Sequence, residues 1–237
     1  MEGEVPFEAR VPFRLLLPRG PGGPAPLLVA LHGKGDRADR FEAEARAALP
    51  GGWALLVPAA PIPRDRGPGR GPGSVGASWY LYDGDTPLFR ASLDRAEAHL
   101  HAVLAAARRA ARRRPRGTRP PDFHRTALLG FSQGAYLAGI AAVRRPEVFR
   151  AAVLVAGRLK HEILGERFAG ARGLRVLALH GREDAAVAPG PSEASIRAAR
   201  EAGLAAAFRL LDGAHAFTPR MRRAARAWLA RLFPAAV

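Results

Sequence analysis

The stretch Thr126-Ala127-Leu128-Leu129-Gly130-Phe131-Ser132-Gln133-Gly134 decides how this chain is read, because an apolar run empties directly into G-x-S-x-G. Such a run reads as a buried strand, and a serine on a sharp strand-to-helix turn has its hydroxyl pushed clear of the backbone. Glycine is expected on both flanks because side chains there would collide with the turn. Ser132 is therefore a candidate exposed nucleophile. The motif alone is a weak signal, and its weight depends on whether partners follow in a usable order.

They do follow. The run Leu174-Arg175-Val176-Leu177-Ala178-Leu179 reads as another buried strand and leads into His180-Gly181-Arg182-Glu183-Asp184. Residues Ala205 to Leu211 read as a third strand, followed by Asp212-Gly213-Ala214-His215, in which Gly213 permits a tight turn that swings an imidazole inward. A serine hydroxyl is too weakly acidic to attack a carbonyl unless an imidazole takes its proton, so His215 is the candidate base. A buried carboxylate on the other ring nitrogen fixes the tautomer and stabilises the imidazolium. Asp184 is preferred for that role. Asp212 is the rival, although three residues before His215 it is better placed to end the strand or cap the turn, and Glu183 is a weaker one.

A tetrahedral intermediate also needs donors for its oxyanion. The backbone N–H of Gln133, just after the nucleophile, is one candidate. The second is expected from Leu27-Leu28-Val29-Ala30-Leu31-His32-Gly33-Lys34-Gly35-Asp36, an apolar strand followed by a glycine-bracketed loop, and Lys34 N–H is the choice. The helix opening near Gln133 would aim its positive end at the same point.

The remaining histidines carry less. His32 and His180 precede glycines at strand ends and read as structural groups that hydrogen-bond loop backbone under the site. His99 and His101 fall on a long helix, and His124 and His161 on connecting segments. No pair has metal-ligand spacing, so neither a metal nor a cofactor is expected. Gly71-Pro72-Gly73-Ser74-Val75-Gly76 matches the dinucleotide pattern formally, but no apolar strand precedes it and no helix opens after it. Pro61 to Gly76 reads instead as a flexible surface loop. The aromatics just beyond it, Trp79, Tyr80 and Tyr82, together with Phe131 and Val187, are the candidate walls of a substrate pocket.

With 237 residues, 48% of them hydrophobic, the chain can bury one substantial core, and residues 1–237 read as a single domain. The absence of cysteine excludes disulfides and thiol nucleophiles. No basic region followed by an apolar stretch opens the chain, and no run approaches a membrane span, so a cytoplasmic protein without a membrane span is expected. The formal charge of +16 is carried almost wholly by arginine, Lys34 and Lys160 being the only lysines. Arginine, alanine and proline are abundant together, as GC-rich coding bias would produce, and no interleaved aromatics or binding module accompany the charge. Nucleic acid is therefore not an expected partner. A monomer or homodimer acting on a small molecule is.

Strands are expected near 11–17, 27–31, 53–57, 125–130, 151–155, 174–179 and 205–211. Helices are expected near 38–49, 87–114, 133–145, 191–203 and 219–232. This alternation describes an α/β protein with a mostly parallel central sheet flanked by helices and no separate lid domain. The last helix has Thr218 to cap it, Pro219 in its first turn, and Met221, Ala225, Trp228, Leu229 and Leu232 on one face. The candidate groups all lie at strand carboxyl ends, where such sheets place their sites.

These residues resemble the small carboxylesterase/phospholipase family of α/β-hydrolases, which includes acyl-protein thioesterases and is related to dienelactone hydrolases. The resemblance spans most of the chain and rests on Leu31-His32-Gly33-Lys34-Gly35-Asp36, Ser78-Trp79-Tyr80, Gly130-Phe131-Ser132-Gln133-Gly134, His180-Gly181-Arg182-Glu183-Asp184 and Gly213-Ala214-His215. It implies a triad of Ser132, Asp184 and His215, with oxyanion amides at Gln133 and Lys34. It further implies hydrolysis of carboxylic esters through an acyl-enzyme, with thioesters and lysophospholipids as nearest alternatives and a non-catalytic scaffold as a different one. Dienelactone hydrolases use cysteine, so Ser132 places the chain on the esterase side. Three departures stand out. Lys34 occupies a position that is commonly apolar in the family and would favour acidic or polar substrates, Ala214 replaces a usual second glycine, and the Gly67–Gly76 segment has no family counterpart.

Overall fold

The computed structural model describes residues 10–64, 75–84 and 86–233. In chain order the elements are β1 (Phe13–Leu16), β2 (Ala25–Leu31), α1 (Ala38–Ala48), β3 (Ala54–Pro58), β4 (Ile62–Arg64), β5 (Gly76–Ser78), α2 (Pro87–Ala111) and β6 (Pro121–Phe131). They continue with α3 (Gln133–Arg144), β7 (Phe149–Val155), α4 (His161–Leu164) running into a 3-10 turn at Gly165–Ala171, β8 (Arg175–Gly181), α5 (Pro189–Glu201), β9 (Ala205–Leu211) and α6 (Pro219–Ala230).

Seven strands form one sheet in the order β1-β3-β2-β6-β7-β8-β9. Only β1 is antiparallel to its neighbour; every other pairing in this sheet is parallel. The composition of the central strands follows from this, because a parallel strand is covered by helices on both faces and must be apolar on both. All seven residues of β2 are buried. Leu27, Val29 and Leu31 meet the core formed with α2, α3 and α5, while Leu28 and Ala30 meet the opposite core, where α1 and α6 bring Phe41, Ala45, Met221, Ala225 and Leu229. Each fully buried leucine contributes roughly 2 kcal/mol through the removal of its surface from water.

The capping expected at α6 is present, with Thr218 Oγ1 accepting Met221 N–H at 3.3 Å ahead of Pro219. α2 begins in the same way at Thr86, which accepts Phe89 N–H at 3.1 Å. All seven expected strands occur, with two differences at their margins. β6 reaches back to Pro121, where proline-rich punctuation was expected, since a proline at the first position of a strand costs no ladder bond and Pro121 pairs with Ala25. The segment read as a flexible loop, Pro61 to Gly76, instead carries an antiparallel pair at its ends, Ile62 opposite Ser78 and Arg64 opposite Gly76. Most of the Gly67–Gly76 segment lies outside the described residues. No separate lid domain is evident among the described residues, and none of their helices is long and apolar enough to cross a membrane.

Candidate active site

The parallel register sets the carboxyl ends of β2, β6, β8 and β9 along one edge of the sheet, and the residues singled out in the sequence sit just beyond those ends. Ser132 follows β6 with φ 52° and ψ −118°, a left-handed conformation that non-glycine residues rarely adopt. Its N–H is tied to Val155 O at 2.9 Å. The flanking glycines are demanded by backbone on both sides: a Cβ on Gly130 would lie 2.2 Å from Gly134 O, and one on Gly134 would lie 2.2 Å from Leu31 O. The turn therefore packs directly against β2.

His215 Nε2 lies 3.1 Å from Ser132 Oγ, and His215 Nδ1 lies 2.8 Å from Asp184 Oδ2 and 3.0 Å from Oδ1. Since the carboxylate can only accept, Nδ1 carries the proton and Nε2 is left free to accept from the serine. Asp184 is buried, and Oδ1 also accepts the N–H groups of Ala186 at 3.0 Å and Val187 at 2.9 Å. Burial pushes its carboxyl pKa up, but the Val187 amide, the His215 hydrogen bond and the nearby imidazoles outweigh this and hold it below the usual carboxylate value. It is a fixed anion, suited to orienting the ring without taking its proton. The rival Asp212 is exposed and faces Arg220 at 3.1 Å and Arg182 at 3.7 Å, and Glu183 points to solvent. Phe131 stacks against the His215 ring at 5.0 Å between centroids.

Lys34 and Gln133 border the same cavity as Ser132. Gln133 is the first residue of α3, so its N–H has no acceptor within the helix. Beside Lys34 the amides are occupied, Gly35 N–H by Ala77 O at 2.8 Å and Asp36 N–H by Gly33 O at 3.1 Å. The short β5 thus clamps the Lys34 loop, aided by Ala77 N–H to Asp36 O at 2.9 Å and by Gly76, where a Cβ would meet Gly35 O at 1.9 Å. The Gln133 side chain adds a second clamp that the sequence did not announce, accepting Trp79 N–H at 2.9 Å and donating to Tyr80 O at 2.8 Å.

Two cavities meet at Ser132. One, of about 210 Å³, is bordered by Tyr80, Tyr82, Tyr136, Arg158 and Lys160 as well as Lys34 and Gln133. The other, of about 350 Å³, contains His215, Phe131 and Phe217 with Asp36, Arg40 and Glu44. Tyr80 and Phe131 thus border the site as expected, one in each cavity. Trp79 does not. It is fully buried in the bend that follows β5, its indole N–H donating to His32 O at 2.8 Å, so the indole finds its acceptor in the core. Val187 borders neither cavity and serves through its backbone, donating to Asp184 and accepting His180 Nε2–H at 2.8 Å. Tyr82, the other aromatic of that segment, borders the smaller cavity with Tyr80; Tyr136, Arg158 and Lys160 were missed, the only signal for Tyr136 and Lys160 being the rarity of tyrosine and lysine in this chain, and Arg158 having none.

His32 and His180 have the structural placement expected of them. His32 donates from Nδ1 to Gly33 O at 2.8 Å and accepts Ala60 N–H at Nε2, and burial lowers its pKa, keeping it neutral. Among the described residues no three His, Asp or Glu side chains gather so as to hold a metal ion. The arrangement can move a proton from Ser132 to His215 beside a fixed anion, which is the chemistry of an activated serine.

A family model described as serine hydrolase (FSH1) matches residues 28–227 of the chain. No curated protein matches it. Among solved structures, esterase PE8 superposes with a TM-score of 0.73 at 24% identity, covering 95% of this chain and 100% of that one. The carboxylesterase from Mesorhizobium loti gives 0.70 at 23% identity over 93% and 94% of the two chains. Zea mays acyl-protein thioesterase 2 gives 0.69 at 19% identity over 93% and 98%. At these identities the structural likeness establishes the fold, a mostly parallel sheet with flanking helices as in the α/β-hydrolase esterases.

Proposed function

The chain belongs to the serine hydrolase (FSH1) family, and from that premise we propose that it hydrolyses carboxylic esters through an acyl-enzyme formed on Ser132. In this reading His215 Nε2 removes the Ser132 proton as Oγ attacks the ester carbonyl, and the oxyanion is received by the amides of Gln133 and Lys34. The intermediate collapses by breaking the bond to the alcohol oxygen, to which His215 returns the proton, leaving the acyl group on Ser132. A water molecule then attacks the acyl carbon, its proton passing through His215 to Ser132 Oγ, and the carboxylic acid departs. Ester and water are consumed and acid and alcohol formed, with no cofactor required. A thioester would follow the same steps with a thiol as leaving group.

The observation that carries the proposal is the unbroken chain Ser132–His215–Asp184, with contacts of 3.1 and 2.8 Å. Such a chain held by a buried, doubly amide-bonded carboxylate has no structural need for a serine in left-handed strain at its outer end. We further take residues 1–237 as one catalytic domain working in the cytoplasm as a monomer or homodimer. The test is hydrolysis of a 4-nitrophenyl ester series, from acetate upward, by wild type and Ser132→Ala. Turnover by the wild type that drops to background in the variant is expected. Equal turnover by both, or labelling by a fluorophosphonate that survives the substitution, would remove Ser132 from the mechanism.

A further inference from the structure

Both lysines of the chain and all three of its tyrosines border the smaller cavity beside Ser132. In a protein whose positive charge is otherwise arginine spread over the surface, that concentration is specific to one place. Lys160 is buried, with its ammonium 5.1 Å from the ring centre of Tyr82 and 5.2 Å from that of Phe89. Arg158 forks onto Glu162 at 2.7 and 2.8 Å, and Lys160 reaches the same carboxylate at 3.4 Å. Glu162 is held at a pKa of about 2, where its burial is outweighed by these cations, so it stays an anion. One carboxylate cannot neutralise Arg158, Lys160 and Lys34 together, and among the described residues no acidic side chain borders this cavity.

A cation withdrawn from water is costly unless an anion accompanies it, and the Lys160 ammonium has donors beyond its one long contact to Glu162. The cavity is thus built to be completed by an incoming negative charge. Its direction from Ser132 identifies the part of the substrate that brings it. His215 borders the other cavity, and since Nε2 must protonate the departing oxygen, the leaving group lies there and the acyl group lies on the lysine and tyrosine side.

Resting on the esterase reading above, we propose that the acyl group carries a terminal carboxylate, so that the substrates are half-esters of short dicarboxylic acids whose free end is bound by Lys160 and Arg158. The cavity of about 210 Å³ accommodates a short acyl chain. The tyrosine rings enclose the methylenes, and the guanidinium and ammonium receive the carboxylate.

The decisive comparison is between mono-4-nitrophenyl adipate and 4-nitrophenyl methyl adipate, which share leaving group and chain and differ in charge. The half-ester is expected to show a kcat/KM at least tenfold higher at low ionic strength, the ratio shrinking as sodium chloride is added. Lys160→Gln and Arg158→Gln are expected to pull that ratio towards one, and Lys160→Arg to restore it. Because Lys160 is buried and substituting it also tests folding, inhibition of the wild type by adipate and by dimethyl adipate provides an independent reading, adipate competing and the diester not. Equal kcat/KM for the two esters, or no advantage of adipate as inhibitor, would overturn the proposal while leaving the esterase intact. Turnover of neither ester by folded protein would overturn both.

Discussion

Replacing Asp184 with Asn leaves shape almost unchanged and removes only the ability of one atom to accept. Oδ1 receives two backbone amides, at 3.0 Å from Ala186 and 2.9 Å from Val187, so the amide oxygen of the asparagine is expected to take that place. Its NH2 then faces His215 Nδ1 at the 2.8 Å position of Oδ2, and only the tautomer with the proton on Nε2 can satisfy it. That proton points at Ser132 Oγ, and the histidine can no longer accept from the serine. Turning the amide over would rescue the tautomer but leave the Ala186 and Val187 N–H groups facing an NH2; Ala186 is exposed and water replaces its acceptor, so the cost falls on the half-buried Val187 amide, at about 1–3 kcal/mol. At ~1.4 kcal/mol per decade this corresponds to a rate loss of roughly 1 to 2 decades. Loss of the charge that stabilises the imidazolium adds to this, so kcat on 4-nitrophenyl acetate should fall about 10²- to 10⁴-fold with KM changed by no more than a few-fold. Circular dichroism should remain that of the wild type. A folded Asp184→Asn protein retaining more than a tenth of wild-type kcat would refute the assignment of Asp184 as the group that orients His215.

Because the Asp184 pKa is lowered by folding, the stability it confers is complete above the ordinary carboxylate value near ~4 and is lost as pH falls through its lower folded value. The difference in urea-unfolding free energy between wild type and Asp184→Asn should accordingly be steady from pH 7 to 5 and narrow by pH 3; a difference that widens in acid would contradict the sign. Ser132→Gly should abolish turnover yet raise Tm by a few degrees, since relief of left-handed strain of about 1–3 kcal/mol less an added chain entropy of about 0.5–1 kcal/mol leaves a central net gain of about 1 kcal/mol, which corresponds to about 2–4 °C. An unchanged or lower Tm would show that the turn carries no such strain. Gly134→Ala drives a methyl to within 2.2 Å of Leu31 O and 2.6 Å of His32 O, both backbone, so a loss of more than about 3 kcal/mol and poor soluble yield are expected. A Tm within a degree of wild type would mean that α3 can slide away from β2.

The fold was legible because buried parallel strands announce themselves as apolar runs and the site residues stand immediately after them: Ser132 behind β6, Asp184 behind β8, His215 behind β9. What could not be read was lateral. β7 lies beside β6, which brings its following residues, Arg158 and Lys160, to Ser132, but neither periodicity nor a motif marks that adjacency. Among so many arginines Arg158 looked like bulk charge. Trp79 and Tyr80 were indistinguishable as neighbours in sequence, and only the acceptor waiting at His32 O decides that one turns into the core while the other borders the cavity. The β4–β5 pair was hidden for a different reason, being three residues per strand and flanked by proline and glycine, too short for alternation to register.

That pair also makes the molecule unusually open to redesign. The hydrogen bonds from Gly35 and Ala77 and the Gly76 contact fasten the Lys34 amide from outside the main sheet, at the base of the connection rather than along it. Chain joining Arg64 to Gly76 can therefore be exchanged for segments of other lengths, at a closure cost of only about 0.6 kcal/mol for each doubling, while the anchorage beneath it holds. A library of segments grafted between Arg64 and Gly76 would thus vary the chain beside this anchorage while Ser132, Asp184 and His215 stay untouched.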